Sequence, residues 1–295
     1  MDQAGKLRKL VKQQEESKKF ARVLTVTSGK GGVGKSSTSI NLAIQFSKLG
    51  KQVVIFDADF GLANIEVMMG IRPQYNLADL MFKGKDIKDI VTPGVENVSF
   101  ISGGSGIQEL TKLTRDQIIY LIQRLLELDE LADIIIVDTG AGITDSVLEF
   151  VISSAEVLLV ATPEPTSITD AYALLKTLNY QKEFSAKETK IKMIANQIHS
   201  EQEGKEIYEK INVVANKFLN IDLQYLGGIK KDSYMSKAII QQKPVSILYP
   251  TSPASKDLAK LAAVLLGEEV TVPEGKKGLS KLFTELFNIH RSRKN

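Results

Sequence analysis

Short runs of aliphatic and β-branched residues recur along the chain at Val23–Thr27, Gln52–Phe56, Val98–Ile101, Ile134–Val137, Val157–Ala161, Ile191–Ala195 and Leu223–Leu226. Several are almost continuous Val, Ile or Leu. That is the pattern of strands covered on both faces, as in a parallel sheet. Between them, apolar positions recur every three to four residues, which predicts helices over Ser36–Leu49, Arg115–Leu128, Ser167–Tyr180 and Pro253–Leu266. Strand–helix alternation implies right-handed βαβ crossovers. The expected fold is therefore α/β, a doubly wound, mainly parallel sheet with helices on both faces.

The pattern changes at the two ends. Residues 1–21 form a short, charged, helix-prone leader, and residues 22–267 carry the alternating elements. Residues 268–277 read as a linker, and residues 278–295 as one isolated amphipathic helix. In that last segment Leu279, Leu282, Phe283, Leu286 and Phe287 recur at i, i+3, i+4, i+7 and i+8, one face of a helix. Lys276, Lys277, Lys281, Arg291, Arg293 and Lys294 surround the face.

Composition narrows the class. The 295 residues include no cysteine, which removes disulfides, thiolate metal sites and cysteine nucleophiles together and fits a reducing compartment. No apolar run approaches the roughly 20 residues needed to cross a bilayer, and the polar start lacks a signal-peptide core. The expected location is cytoplasmic, or peripheral to a membrane. The net charge of +3 hides an asymmetry, because both ends are basic and the middle is acidic. An acidic body argues against a DNA-coating surface. The basic ends point to anionic surfaces or partner proteins.

The strongest chemical signal follows the first strand. Gly29-Lys30-Gly31-Gly32-Val33-Gly34-Lys35-Ser36 matches the phosphate-binding pattern G-x-x-x-x-G-K-[ST]. It stands between a strand and a helix, where glycines let backbone N–H groups approach phosphate and the helix N-terminus adds partial positive charge. In this reading Gly29 to Ser37 bind nucleotide, Lys35 reaches the β- and γ-phosphates, and the Ser36 hydroxyl ligates Mg²⁺. The base is expected to be adenine. Asn196-Gln197-Ile198-His199 has His199 where a guanine-reading Asp would stand, and the Asn196 amide suits adenine N6 and N7.

Lys30 makes the loop similar to the deviant Walker A motif of the MinD/ParA family of P-loop ATPases. The resemblance covers about 22 to 266. It implies an ATP-dependent homodimer in which Lys30 reaches the partner's nucleotide, and Lys30, Lys35 and Asp59 as catalytic residues. Asp57-Ala58-Asp59-Phe60-Gly61-Leu62 resembles the family's switch I, with Asp57 near Mg²⁺ and Asp59 positioning the attacking water. Asp138-Thr139-Gly140-Ala141-Gly142 resembles switch II, with Asp138 at Mg²⁺; Gly140 replaces the usual proline and implies a more flexible switch. The missing cysteines exclude the iron–sulfur relatives.

Within the family, Asp57 to Gly70 and the loop Thr162 to Ser167 look MinD-like. The C-terminal segment resembles MinD's membrane helix, which implies anionic lipids as a partner for Leu279, Leu282, Phe283, Leu286 and Phe287. The leader residues Asp2, Gln3, Ala4, Leu7 and Arg8 resemble the D-Q-A-x-x-L-R leader of the FlhG (YlxH) branch, which regulates flagellar number and placement. That implies two further partners, an FlhF-like GTPase at the leader and flagellar C-ring proteins at the body. It also implies a protein peripheral at the inner face of the cell membrane when ATP-bound. The competing readings are a MinD-type division-site ATPase, a ParA-type DNA-partitioning ATPase and a metabolic ligase of related fold.

Overall fold

The structure, a computed structural model, describes residues 20–59, 64–103, 115–268, 272–273 and 276–292. The leader residues Asp2, Gln3, Ala4, Leu7 and Arg8, and Phe60-Gly61-Leu62 of the switch I stretch, lie outside the described residues.

The strands are β1 (Arg22–Thr27), β2 (Val53–Ala58), β3 (Thr92–Pro93), β4 (Val98–Ser102), β5 (Ile134–Thr139), β6 (Glu156–Ala161), β7 (Lys190–Ile198) and β8 (Leu223–Lys230). They form one sheet in the order β3-β4-β2-β5-β1-β6-β7-β8. Every neighbouring pair is parallel except the short edge pair β3–β4. The strands named from the hydrophobic pattern are all present. The two-residue edge β3 is too short to leave a periodic signal. Strands β2, β5 and β6 are buried at every position, as their unbroken apolar runs require.

The helices are α1 (Lys35–Lys48), α2 (Asn64–Met69), α3 (Leu77–Phe82), α4 (Ile87–Ile90), α5 (Arg115–Leu131), α6 (Asp145–Ser153), α7 (Pro165–Asn179), α8 (Glu201–Leu219), α9 (Ser233–Ile240), α10 (Val245–Leu248), α11 (Pro253–Gly267) and α12 (Gly278–Ser292). Local chemistry starts several of them. Ser200 caps α8, and Ser252 caps α11 ahead of a proline in its first turn. Helices α1 and α11 cover one face of the sheet, and α5, α6, α7, α8 and α12 contribute to the two clusters on the other.

A buried charged chain ties the start of the sheet to the end of α11. Arg22 makes two bonds to Glu156, at 2.7 and 2.8 Å, and donates to the Leu265 carbonyl. Lys192, on β7, reaches both Glu156 and Glu268. Burial raises the Glu156 carboxyl, but Arg22 and Lys192 outweigh it and hold the group below the ordinary carboxylate range. Removing one partner of such a set leaves an uncompensated buried charge, at a cost of roughly 3–5 kcal/mol.

Helix α12 lies on the body. Leu279, Leu282, Phe283 and Phe287 are buried in the cluster formed with Leu121, Leu125 and Leu128 of α5, and Leu286 is half-buried at its edge. Each large apolar side chain buried in this way contributes roughly 1.5–3 kcal/mol. Polar bonds fix the helix at its start. Asp129, at the end of α5, accepts from Leu279 N at 2.6 Å, Ser280 N at 3.0 Å and Ser280 Oγ at 2.6 Å. Burial raises this carboxyl while the bonds from Ser280 and Leu279 pull it down. Lys276, expected among the basic residues around an exposed face, is instead folded inward. Its Nζ donates to Ile152 O, Ser154 O and Thr189 Oγ1 at 2.8, 3.2 and 2.9 Å, which satisfies all three protons.

Replacing Asp129 by Ala strands two buried N–H donors at the start of α12. The expected result is a loss of about 1–3 kcal/mol in urea unfolding. Limited proteolysis should cut α12 earlier than the body, and equal protection of both would show that the apolar face alone holds the helix.

Candidate nucleotide-binding site

The site is built where four parallel strands end. Register sets Asp57 of β2 directly beside Asp138 of β5, and Val26 of β1 beside Asp138 on the other side. The loop after β1 then passes over these strand ends and enters α1. Ligands of open α/β sheets bind at this end, beyond the strand C-termini.

The loop is held by close approaches that only glycine allows. Gly34 is left-handed, with φ 88°, and a side chain there would collide with the Asn196 amide. At Gly29 a Cβ would collide with the backbone carbonyl of Asp170 in α7. Asn196 braces the loop directly, with Nδ2 donating to Val33 O at 2.7 Å. Its Oδ1 accepts from Gln197 N at 2.9 Å, a local turn made with Gln197 at φ 60°. The sequence suggested Asn196 as a base contact. The side chain does line the cavity, but here its amide serves the phosphate loop. His199 is exposed beyond it.

A cavity of about 830 Å³ opens above the loop, lined by Gly31, Gly32, Gly34, Lys35, Ser36, Ser37, Asp59 and Asn64. Its opposite wall brings in Met68 of α2 with Met235 and Ile239 of α9. Met68 belongs to the MinD-like stretch, whereas Met235 and Ile239 carry no motif. Only the fold brings α2 and α9 to the same cavity.

The charged groups meet in the floor. Lys35 Nζ lies 3.7 Å from Asp138 Oδ1, with both groups buried. Ser39, one turn further along α1, has its hydroxyl 2.8 Å from the same oxygen. The other oxygen, Asp138 Oδ2, is buried without a partner. Asp57 accepts from Asp59 N at 3.1 Å and Ile65 N at 3.4 Å. Asn64 Nδ2 donates to Asp59 Oδ2 at 3.1 Å, which orients the carboxylate expected to position water. Burial, and after it the neighbouring Asp138, pushes the Asp57 carboxyl up to about 7. Burial also raises Asp138, against the pull of Lys35 and the Ser36 and Ser39 hydroxyls.

This donor set fits Mg²⁺. Ser36, Asp57 and Asp138 offer hard oxygens only. Two carboxyls are disfavoured as anions by their burial, and one buried oxygen waits without a partner. Among the described residues no group of three or more His, Cys, Asp or Glu could hold a metal. Mg²⁺ keeps several waters and takes only one or two carboxylates, as Asp57 and Asp138 would provide. Lys30 stands apart at the rim. Its Nζ lies 2.7 Å from Glu164 Oε2, just before α7, and 2.7 Å from Thr166 Oγ1, in the first turn of α7. Lys30 holds the exposed Glu164 carboxyl below its usual range.

Since burial raises the Asp57 carboxyl in the folded protein, its contribution to stability is complete below about pH 4. It is lost as pH rises through about 7. Melting temperatures of nucleotide-free, Mg²⁺-free protein should therefore fall between those limits, and Asp57→Asn should flatten this part of the profile. An unchanged slope in the variant would remove Asp57 as its source.

Three comparisons with known proteins agree with this geometry. A family model described as ParA, NUBPL iron-transfer P-loop NTPase, matches residues 19–266. The antiactivator FleN of Pseudomonas aeruginosa is 40% identical over 269 residues, covering 91% of this chain and 94% of that protein. The flagellum site-determining protein YlxH of Helicobacter pylori is 32% identical over 286 residues, covering 92% of each. Among solved structures, the MinD cell division protein of Aquifex aeolicus superposes with a TM-score of 0.65 at 23% identity, over 86% of this chain and all of that one. MinD of Pyrococcus horikoshii, solved with Mg-ADP, superposes with a TM-score of 0.64 at 21% identity, over 83% of this chain and 96% of that one. These structural likenesses establish the fold.

Proposed function

The chain belongs to the ParA/MinD family of P-loop ATPases, and on that premise we propose that it is an ATP-dependent dimerising switch that regulates flagellar number and placement. The observation that carries this reading is the similarity, over nearly the whole of each chain, to two proteins with flagellar names, FleN and YlxH. A phosphate loop with Lys35 lining one cavity accompanies it.

The residues divide the work. The loop 29–37 cradles the phosphates through backbone N–H groups, and Lys35 neutralises charge there. Ser36, with Asp57 and Asp138, would hold Mg²⁺, which would supply further neutralisation of phosphate charge. Asp59, steadied by Asn64, orients water for attack. Lys30 leaves Glu164 and Thr166 to reach the γ-phosphate bound in the partner protomer. There it stabilises transition-state charge as an arginine finger does.

The proposal extends to α12. Its apolar face docks on the body at rest and binds anionic lipid when ATP-driven dimerisation releases it. Support comes from Phe283, which packs edge-on to Phe56 at 5.5 Å and to Phe150 at 5.9 Å. Phe56 precedes Asp57 in β2, and Phe150 lies in α6, the helix after switch II. A change at either switch therefore has a short path to the helix. A ligand shifts such an equilibrium only by its differential affinity for the two states, which dimerisation supplies here. The leader, through Gln3 and its neighbours, acts on an FlhF-like GTPase, and the body engages flagellar C-ring proteins.

Size-exclusion chromatography should show a dimer with ATP and a monomer with ADP. Asp59→Ala should keep the ATP dimer and lose hydrolysis, and Lys35→Gln should lose nucleotide binding. Normal turnover by Asp59→Ala would withdraw its assignment.

Pelleting with anionic vesicles should require ATP. Leu286 is the substitution that spares the core, so Leu286→Glu should weaken pelleting while leaving the dimer intact. Equal pelleting with ADP and ATP would refute the release step. A peptide of residues 1–20 should stimulate the GTPase, less so with Gln3→Ala, and an inert peptide would remove that partner.

A further inference from the structure

Ser39 carries no motif role, yet it is fully buried one helical turn beyond Lys35. A serine inside a helix ordinarily returns its single proton to the carbonyl four residues back. Ser39 has that carbonyl, Lys35 O, at 3.2 Å, but Asp138 Oδ1 is closer at 2.8 Å. A carboxylate is also the stronger acceptor. Lys35 Nζ approaches the same Oδ1 only to 3.7 Å, beyond hydrogen-bond length, while Oδ2 stays buried and unpartnered.

We propose that Ser39 is a positioning residue for nucleotide and Mg²⁺ binding: it fixes the Asp138 carboxylate so that Oδ2 faces the metal site, and it occupies Oδ1 so that Lys35 is not captured by the carboxylate. The inference rests on the ATPase site and is independent of the flagellar reading. Its physical basis is a competition. The terminal torsion of Asp is broad and roughly two-fold, so an unanchored carboxylate turns easily. A lysine close by would then shorten to a charge-assisted bond near 2.8 Å. That bond would draw Lys35 from the phosphates and turn Oδ2 away from the cation. With the Ser39 hydroxyl in place, both partners of the nucleotide stay available.

The test compares wild type, Ser39→Ala and Ser39→Thr by titrating a fluorescent ADP with Mg²⁺ or with EDTA, together with melting temperatures. ADP keeps hydrolysis out of the measurement. Ser39→Ala should lower the Mg²⁺-dependent gain in affinity by about tenfold or more, as loss of a partner that orients a metal ligand does. Ser39→Thr, which keeps the hydroxyl, should recover most of that gain. With ATP, kcat should fall in Ser39→Ala at saturating nucleotide. An unchanged Mg²⁺ gain in Ser39→Ala would overturn the proposal. So would an equal loss of affinity with Mg²⁺ and with EDTA, because that marks a merely structural role. Should Ser39→Thr fail to fold in so tight a position, the Mg²⁺ ratio of Ser39→Ala decides alone.

Discussion

Two carboxylates, Asp57 and Asp138, stand side by side on adjacent parallel strands, in register and out of water. Like charges so placed are costly, and burial raises both carboxyls against the partial relief that Lys35 and the Ser36 and Ser39 hydroxyls give Asp138. Lys35 sits near one of them without closing on it, and Asp138 Oδ2 has no partner at all. Much of the surrounding geometry serves this floor. The glycine loop passes over it, α1 delivers Lys35, Ser36 and Ser39 from one side, and α2 brings Asn64 to Asp59 from the other. A site held in this state gains most when a cation and phosphates arrive together, which is the task of a nucleotide switch.

The same strand that carries Asp57 also carries Phe56 into the core on the other face of the sheet. There it meets Phe283 of α12 and Phe150 of α6. Because β-strand side chains alternate between faces, adjacent residues serve the site and the terminal helix. Interiors are close-packed and transmit displacement. The C-terminal helix therefore sits against β2 and α6 behind the site, although it begins far along the chain.

The helix is also held by chemistry unlike its apolar face. Asp129 and Lys276 grip the start of α12 and the residues before it with directional bonds, whereas the leucines and phenylalanines contribute non-directional burial. Directional bonds fix where the helix begins, and burial decides how firmly the remainder adheres. Leu286, half-exposed at the edge, is the side chain of the predicted apolar face that is least committed to the body.

The sequence by itself determined the sheet, the phosphate loop and the acidic strand ends, because these follow from local rules. Continuous Val and Ile runs need two covered faces, and the glycine spacing around Lys35 meets a backbone requirement that few other residues satisfy. It also displayed the apolar face of residues 279–287, since helical periodicity is local. Only the tertiary structure decided what that face touches at rest, because periodicity shows that a face must be buried and not which surface buries it. The same limit applies to Lys276, whose charge suggested an exposed site until three oxygens from distant segments enclosed it. It applies to Asn196, a base contact by sequence and a brace of the loop by contact. Ser39 was invisible for the same reason. Its partner Asp138 lies 99 residues away, and only the parallel register of the sheet places that carboxylate under the first turns of α1.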